Sequence, residues 1–389
     1  MLNVVRSLAP VAGDTRGQLV VGQISLTNFR NYHDVRLNIA ATPVVLTGAN
    51  GSGKTNLLEA ISLLVPGRGL RRAALRELQN QKSSEPWAIA VDLSTPYGAL
   101  HIGTGSDPET GDGDRRIVHI DGKNVRGQNA LAEHMAMAWI TPDMDRVLAE
   151  GPSARRKLLD RLVYGFDPAH NGRVHRYEKA LRERLRILRE GPADAAWLKA
   201  LEDEMAQTGV AIAAARRHMV QQLRTGIATT TSAFPRADLE LKGLAEEALE
   251  NQPALLVEDS LREALARTRG DDAQSGTCVC GPHRSDLVVI HRLKQCPADL
   301  CSTGEQKALL IALMLAHVRI LTSIRQMPPI FLLDDIAAHL DDIRRASLFE
   351  ELRTLGTQAW LTGTDTEPFA SLLPHAQHGV VEFGQVIWL

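Results

Sequence analysis

The spacing of apolar residues changes character twice along the chain. "LVVGQISLTNF" (Leu19 to Phe29) is β-rich and roughly alternating, as a half-buried strand should be. "TPVVLTG" (Thr42 to Gly48) is a short apolar run ending in glycine, which predicts a buried strand, and "KTNLLEAISLL" follows it with helical periodicity. "WAIAVDL" and "RRIVHI" read as further strands, with Asp121-Gly122 as a hairpin turn signal. "MAWIT" (Met137 to Thr141) is another buried-strand candidate, so this first part is mixed α/β.

From about Pro152 to Arg269 the pattern becomes helical. "RVHRYEKALRERLRILRE" places Val174, Tyr177, Leu181, Leu185 and Leu188 three or four apart, an amphipathic helix. "WLKALEDEMAQTGVAIAAARRHMVQQL" resumes that spacing after a break at Gly191-Pro192. No heptad pattern is sustained, so a compact helical subdomain is expected rather than an extended coiled coil. From Thr277 the α/β pattern returns. "TCVCG", "DLVVI", "PIFLLDDI" and "QAWLTG" read as strands, "GEQKALLIALMLAHVRIL" and "LDDIRRASLFEELRTL" as helices, and "HGVVEFGQVIWL" as a closing hairpin. The organisation expected is a flexible extension over 1–18, a discontinuous α/β domain over 19–150 and 277–389, and a helical insertion over 151–276.

Composition adds little to that picture. The 389 residues are 44% hydrophobic and 23% charged, enough for a sizeable core in two or three domains. No run approaches the ~18 apolar residues of a membrane span, and the N-terminus lacks the continuous apolar core of a signal peptide; a cytoplasmic location is expected. The four cysteines, Cys278, Cys280, Cys296 and Cys301, form C-x-C and C-x4-C pairs, not the C-x2-C pairs of a zinc site. They are read as reduced cysteines of an intracellular protein, with Cys278 and Cys280 on one face of a strand.

Candidate chemistry begins at Gly48-Ala49-Asn50-Gly51-Ser52-Gly53-Lys54-Thr55, which fits G-x4-G-K-[ST]. Glycines let consecutive backbone N–H groups curl around phosphate oxygens, and the next helix aims its positive end at the same anion. Lys54 supplies a cation for the β- and γ-phosphates of ATP, and the Thr55 hydroxyl is a hard oxygen ligand for Mg2+. Asn56 extends the cradle. A second Mg2+ anchor is expected at the tip of "IFLLDD", where a buried acid is costly unless a charge awaits it. Asp334 suits the ion and Asp335 suits the base that polarises the attacking water.

"CSTGEQKALL" places Ser302 and Gly304 just before a long helix. Alone, this is a helix N-cap. Beside a phosphate loop it reads as a second anion site, and one chain with two phosphate-binding ends suggests a head-to-tail dimer sandwiching two ATP molecules.

At this point the chain resembles the ATP-binding-cassette ATPases of the SMC/RecF type. The resemblance rests on "NFRNY" (Asn28 to Tyr32), "GANGSGKTNLLEAI", "TPDMDRVLAEGPSARRKLLD" (Thr141 to Asp160), "GPHRSDL" (Gly281 to Leu287), "STGEQKALLIAL" and "LLDDIAAHLD" (Leu332 to Asp341). It implies an α/β ABC-ATPase head, a mixed and parallel sheet carrying the P-loop as lobe I, with the helical insertion as lobe II extending to the signature region. It implies Walker A at Gly48 to Thr55, Walker B at Asp334, a catalytic base at Asp335, a signature loop at Ser302 and Gly304, and a partner-facing loop at Asp341. It places Arg30 near the nucleotide. It further implies a weak ATPase that dimerises with ATP and binds DNA. Such a protein acts at gaps and stalled forks, where it helps RecO and RecR load RecA in recombinational repair and the SOS response. Two departures stand out. Asp335 replaces the glutamate of many relatives, and "QAWLTGTD" has no switch histidine, with Thr364 as a candidate substitute. A transporter-type cassette would have far fewer residues than the 280 between Lys54 and Asp334, and a kinase or GTPase would not need the Ser302 loop.

Residues 151–190 hold eleven Lys/Arg against five Asp/Glu, a local +6 in a chain of net −2. Such asymmetry suits a phosphate backbone; it equally suits a solvated helical face. The candidate DNA contacts are Arg155, Arg156, Arg173, Arg176 and Arg184, with Arg71 and Arg72 of "RGLRRAALR" as a second cluster. Aromatics are only 4% of the chain, which favours duplex or junction backbone contacts over base stacking. His283 and Arg284 suit either a functional role or a buried polar network.

Overall fold

The structure is a computed structural model that describes residues 18–108, 115–191, 194–228, 232–337 and 340–389; the expected extension falls, but for Gln18, outside them. The chain divides into two compact units, Met1–Pro142 with Leu321–Leu389, and Asp143–Ile320.

In the first unit, β1 (Val20–Phe29) and β2 (Tyr32–Asn38) pair antiparallel around a two-residue turn at Arg30-Asn31, with Arg30 at φ 54°. Every residue of β3 (Val44–Thr47) is buried, and the chain passes from it through the glycine loop into α1 (Lys54–Ser62). β4 (Ala88–Thr95), β5 (Gly98–Ser106), β6 (Arg116–Ile120) and β7 (Lys123–Asn124) complete an antiparallel sheet in the order β2-β1-β4-β5-β6-β7. The predicted hairpin turn at Asp121-Gly122 is present, with both residues at positive φ. α2 (Leu131–His134) then leads to β8 (Met137–Ile140).

The second unit contains α3 (Pro152–Tyr164), α4 (Ala169–Glu190) and α5 (Ala195–Ala228), then β9 (Ala237–Lys242), α6 (Leu244–Ala248), α7 (Ala254–Arg267) and α8 (Arg269–Ser275). β10 (Asp286–His291), β11 (Cys296–Pro297) and α9 (Thr303–Arg325) follow. Tyr177, Ala180, Met205, Val210, Leu261 and Leu265 form its helical core, and β11-β10-β9 form an antiparallel sheet beside it. Among the described residues α9 alone is long and apolar enough to cross a membrane, but 72% of its apolar window is buried, as in a core helix.

Back in the first unit come β12 (Ile330–Leu333), α10 (Asp342–Leu355), β13 (Ala359–Gly363), β14 (Gln377–Glu382) and β15 (Gln385–Trp388). The second sheet runs β15-β14-β3-β13-β12-β8, parallel except for β15. Its buried strands explain the unbroken apolar runs of the sequence. Buried Gln358 ties the two sheets together: its amide bonds both Val21 N and Val21 O, and also Ala40 O, at 2.8–3.1 Å.

Three local expectations need correction. "TCVCG" is not a strand. Cys278 and Cys280 do share a buried face, but Val279 N is held by Asp272 Oδ1 at 3.2 Å and no neighbouring strand pairs with the segment. β5 was hidden by its three glycines. β9 lies inside the stretch read as helical, where "ADLELK" alternates buried and solvent-facing positions against β10.

Candidate functional site

The glycine loop sits at the C-terminal end of β3, held from below by the β1–β2 turn. Asn31 Nδ2 donates to Ser52 O at 2.9 Å, Tyr32 OH donates to Gly53 O at 3.0 Å, and Asn56 Nδ2 donates to Asn31 Oδ1 at 2.7 Å. Gly53, at φ 121°, is required there: a Cβ would lie 2.5 Å from Asn31 Nδ2. Gly48 is equally constrained, since a Cβ would meet Val381 O at 2.4 Å. Lys54 Nζ donates to Gly48 O at 2.6 Å and Ala49 O at 2.9 Å, so the ammonium occupies the loop that would surround phosphates. Burial pulls Lys54 below its ordinary pKa, opposed by the charges of Asp335 and Asp334. The Ser52 hydroxyl oxygen is buried without a hydrogen-bond partner among the described residues, which fits a cradle built for an anion.

Thr55 and Asp334 lie 279 positions apart in sequence, yet Thr55 Oγ1 donates to Asp334 Oδ1 at 3.0 Å. Thr362 at the end of β13 donates to the same oxygen at 2.7 Å and accepts from Asp335 N at 2.8 Å. Burial pushes the Asp334 carboxyl above its usual range, and the two hydroxyls only partly offset this. A hard divalent cation would offset the rest, and Thr55 and Asp334 supply the oxygen ligands such an ion takes. Asp335 adopts a left-handed φ of 51° at the strand tip. A cleft of about 170 Å3 is lined by Asn50, Lys54, Thr55, Arg71, Asp335 and Thr364 among others. That volume is below the ~300 Å3 of an enclosing small-molecule site, a size that suits a phosphate group better than a whole nucleotide. Thr364 reaches the cleft, with its hydroxyl donating to Asp365 Oδ2 at 2.7 Å.

Arg30, expected near the nucleotide, does not line the cleft, and its guanidinium is engaged within the fold. Its Nε and Nη2 each bond the fully buried Glu59 carboxylate at 2.8 Å, and Nη1 donates to Glu77 O. Sequence reasoning missed the residues doing the supporting work, Asn31, Tyr32, Glu59 and Thr362. "NFRNY" contained the signal, but the role went to its arginine. Arg71, read as a DNA candidate, lines the cleft beside the glycine loop, bonding Asn56 Oδ1 at 2.7 Å and reaching Glu59 at 3.4 Å. Neighbouring Arg72 is exposed.

In the second unit, Ser302 and Gly304 are exposed at the start of α9. Glu305 Oε2 accepts from Ser302 N at 3.1 Å, half of a capping box. Lys294 bonds Glu305 and, with Ser302, holds that carboxyl down at about 2. Lys307 pairs with Asp145 at 3.0 Å.

The basic segment around Asp160 and α4 divides into structural and solvent-facing members. Arg184 is fully buried. It bonds Glu202 at 3.0 Å, Asp272 at 2.7 Å and Leu265 O at 2.7 Å, so it cannot touch DNA in this fold. Arg155 is likewise withdrawn, clamped by Asp286 at 2.7 and 2.8 Å and by Leu148 O. Arg156 donates to Ser285 O at 2.7 Å, and burial lowers its pKa. Arg173 is bonded to Asp167 and only 22% exposed. Arg176 remains, 64% exposed with Glu204 at 3.2 Å, and Lys179 and Arg182 accompany it on the outer face of α4.

His283 belongs to a buried network. Its Nε2 lies 2.9 Å from Cys278 O, which requires a proton there, so Nδ1 accepts from Tyr177 OH at 2.7 Å. Burial lowers its pKa and keeps this neutral tautomer. Nearby, burial alone would push the Asp160 carboxyl up, but His170 and Arg216 hydrogen bonds hold it at about 2.

Comparison with known proteins agrees with this geometry. Residues 20–372 match the family model described as RecF/RecN/SMC N terminal domain. The chain is 48% identical to the DNA replication and repair protein RecF of Mesorhizobium japonicum, over 95% of this chain and 98% of that one. It is 45% identical to that of Allorhizobium ampelinum, over 94% and 98%. Its fold matches a structure of the recombination mediator protein RecF with ATPrS in the RecFOR pathway (TM-score 0.83, 23% identity, 96% and 98% covered). An Smc head domain from Pyrococcus furiosus, with an extended coiled coil and bound to the C-terminal domain of ScpA, matches more distantly (TM-score 0.52, 14% identity, 96% of each chain covered). The helical insertion within an α/β nucleotide fold, the glycine loop and the Asp334 pair thus have a single family context: the chain belongs to the RecF/RecN/SMC N-terminal-domain family, and within it to the RecF proteins.

Proposed function

We propose that the protein is a DNA-repair ATPase of the RecF type. It binds Mg2+-ATP on residues Gly48 to Asn56 and closes as a head-to-tail dimer in which the Ser302–Gly304 loop of one subunit caps the nucleotide of the other. The convergence of Thr55, Asp334 and Thr362 beneath the glycine loop carries this reading. Lys54 leaves the carbonyls of Gly48 and Ala49 for the β- and γ-phosphates. Thr55 and Asp334 would hold Mg2+, which when bound neutralises phosphate charge. Asp335 orients and deprotonates the attacking water, and Thr362 fixes the backbone that aims it. Aspartate is one methylene shorter than glutamate, which suits slow turnover and a long-lived clamp.

The first unit acts as lobe I and the helical insertion, through the signature loop, as lobe II. The outer face of α4 supplies sequence-independent contacts to duplex or junction DNA. In the cytoplasm the clamp acts at gaps and stalled forks, with RecO and RecR, to promote RecA loading in recombinational repair and the SOS response.

The test is the molecular mass of the protein with and without ATP, on and off duplex DNA. Wild type should double its mass with ATP. Lys54→Ala should stay monomeric and lose ATP binding, and Ser302→Arg should bind ATP yet stay monomeric. Normal dimerisation of Ser302→Arg would sink the shared-site reading.

A further inference from the structure

Immediately before the signature loop, two half-exposed thiols face the same backbone carbonyl. Cys296 Sγ and Cys301 Sγ each lie 3.5 Å from Pro297 O, which brings both thiols to one carbonyl. Cys296 is fixed by β11, where it pairs with His291 of β10. Cys301 is fixed by its N–H on Ala298 O at 3.2 Å and by Gln306 Nε2 on its own carbonyl at 2.8 Å. The next residue is Ser302, so the second thiol is joined directly to the loop that caps the nucleotide. The lysine of the β10–β11 turn, Lys294, bonds Glu305, which in turn accepts from Ser302 N. Thiols, turn and loop therefore form one connected cluster.

We propose that Cys296 and Cys301 form a reversible disulfide that switches the signature loop, and with it nucleotide-dependent dimerisation, in response to peroxide. The proposal rests on the signature-loop reading above. Burial, then contact with Cys296, pushes the Cys301 thiol up, so Cys301 follows rather than leads. The Cys296 thiolate attacks a peroxide oxygen; the S–O bond forms, the O–O bond breaks, and the departing hydroxide takes up a proton as water. Cys301, as thiolate, then attacks that sulfur; the S–S bond forms, the S–O bond breaks, and the departing hydroxide takes up the proton that the Cys301 thiol gave up, leaving as a second water. Two thiols have lost two electrons and the peroxide has gained them. A dithiol reductant reverses the step. The resulting bond closes a six-residue ring ending at Cys301 and draws the start of α9 toward β11, displacing Ser302 from its place over the partner's nucleotide. The buried Cys278–Cys280 pair is inaccessible and takes no part.

The full-length protein is treated with hydrogen peroxide, alkylated and digested with trypsin, and its mass with ATP is measured in parallel. The peptide from Gln295 to Lys307 should lose two hydrogens in wild type but not in Cys296→Ser or Cys301→Ser. Oxidised wild type should bind ATP normally while its ATP-induced dimer weakens about tenfold, and a dithiol should restore it. Cys296→Ser should dimerise whether or not peroxide is added. Loss of hydrogens from the Gly270–Arg284 peptide instead, or a Cys296–Cys301 disulfide that leaves dimerisation intact, overturns the switch. If reduced Ser302→Arg dimerises normally, the signature-loop reading has failed, and the peptide map still decides whether the disulfide forms.

Discussion

Replacing Arg184 by methionine should unfold the helical unit at a markedly lower temperature and leave DNA recognition alone. The guanidinium joins three elements: α4 through its own backbone, α5 through Glu202, and the α7–α8 region through Asp272 and Leu265 O. Arg184 and Asp272 are wholly buried and the Glu202 side chain is 2% exposed, so no water can replace the lost partner. Removing one member of a buried ion pair costs about 3–5 kcal/mol, because the other is left uncompensated. Glu202 keeps Arg269 at 2.9 Å and Asp272 keeps Thr268 at 3.0 Å, which places the loss near ~3 kcal/mol. For a unit of this size each kcal/mol moves the midpoint about 2–4 °C, so a drop of at least ~6 °C is expected. Scanning calorimetry, with hydrogen exchange to assign the transition to this unit, is the assay. Arg182→Ala, an exposed neighbour on the same helix, should fall within ~0.5 kcal/mol of wild type. A loss below ~1 kcal/mol for Arg184→Met would show that the network carries little stability. A change in the salt dependence of DNA binding by the folded variant would restore Arg184 to the contact surface.

Reversing Arg176 and Arg182 to glutamate should weaken binding to all duplex sequences alike, with the slope of log affinity against log salt falling by roughly 0.9 per lost phosphate contact; an unchanged slope moves the DNA face off α4. Asp335→Asn should bind ATP and dimerise, but hydrolyse at least ~100-fold more slowly, so dimers accumulate in a phosphate-release assay; wild-type turnover would remove Asp335 from catalysis. His317 is buried against Leu162 O at 3.0 Å, and burial pulls its pKa down to about 4. A base whose folded pKa is depressed stabilises the fold above its unfolded value near 6.5 and loses that stability as pH falls toward 4. Between pH 7 and 5 this single residue should remove about 2 kcal/mol, a slope that His317→Gln should flatten in urea titrations.

Much of the site was legible because its chemistry is written in short contiguous runs. A glycine loop between an apolar strand and a helix, or two acids at the tip of "IFLL", needs no knowledge of distant residues. What stayed hidden depends on partners far away. Arg184 falls on the Tyr177–Leu181–Leu188 stripe and Arg182 does not, but the stripe cannot say what neutralises a buried guanidinium: that takes Glu202, 18 positions on, and Asp272, 88 positions on. Arg30 was expected near the nucleotide, and its pairing with Glu59, 29 positions on, could not be read from "NFRNY". Glycine in β5 and the short alternation of β9 were too weak to outweigh their neighbours, and pairing across the sheet decided both. The cysteines at 278 and 280 alternate as a strand would, yet their partners are side chains rather than a ladder.

The strand order of the parallel sheet has a consequence for biosynthesis. β3, which presents the glycine loop, lies between β13 and β14, and these emerge from the ribosome about 310 residues later. At roughly 5–20 residues per second the nascent Val44–Thr47 segment waits about 15–60 s for its neighbours. The Asp143–Ile320 unit emerges whole within that interval and can fold first. Throughout it, a largely apolar strand with open edges hangs from the growing chain, a natural client for a holdase and a site of premature aggregation when translation stalls. Nonsense truncations as late as the α10–β13 connection should therefore leave no nucleotide-binding fragment, because both strands that flank the loop's own strand, β13 and β14, lie beyond that point.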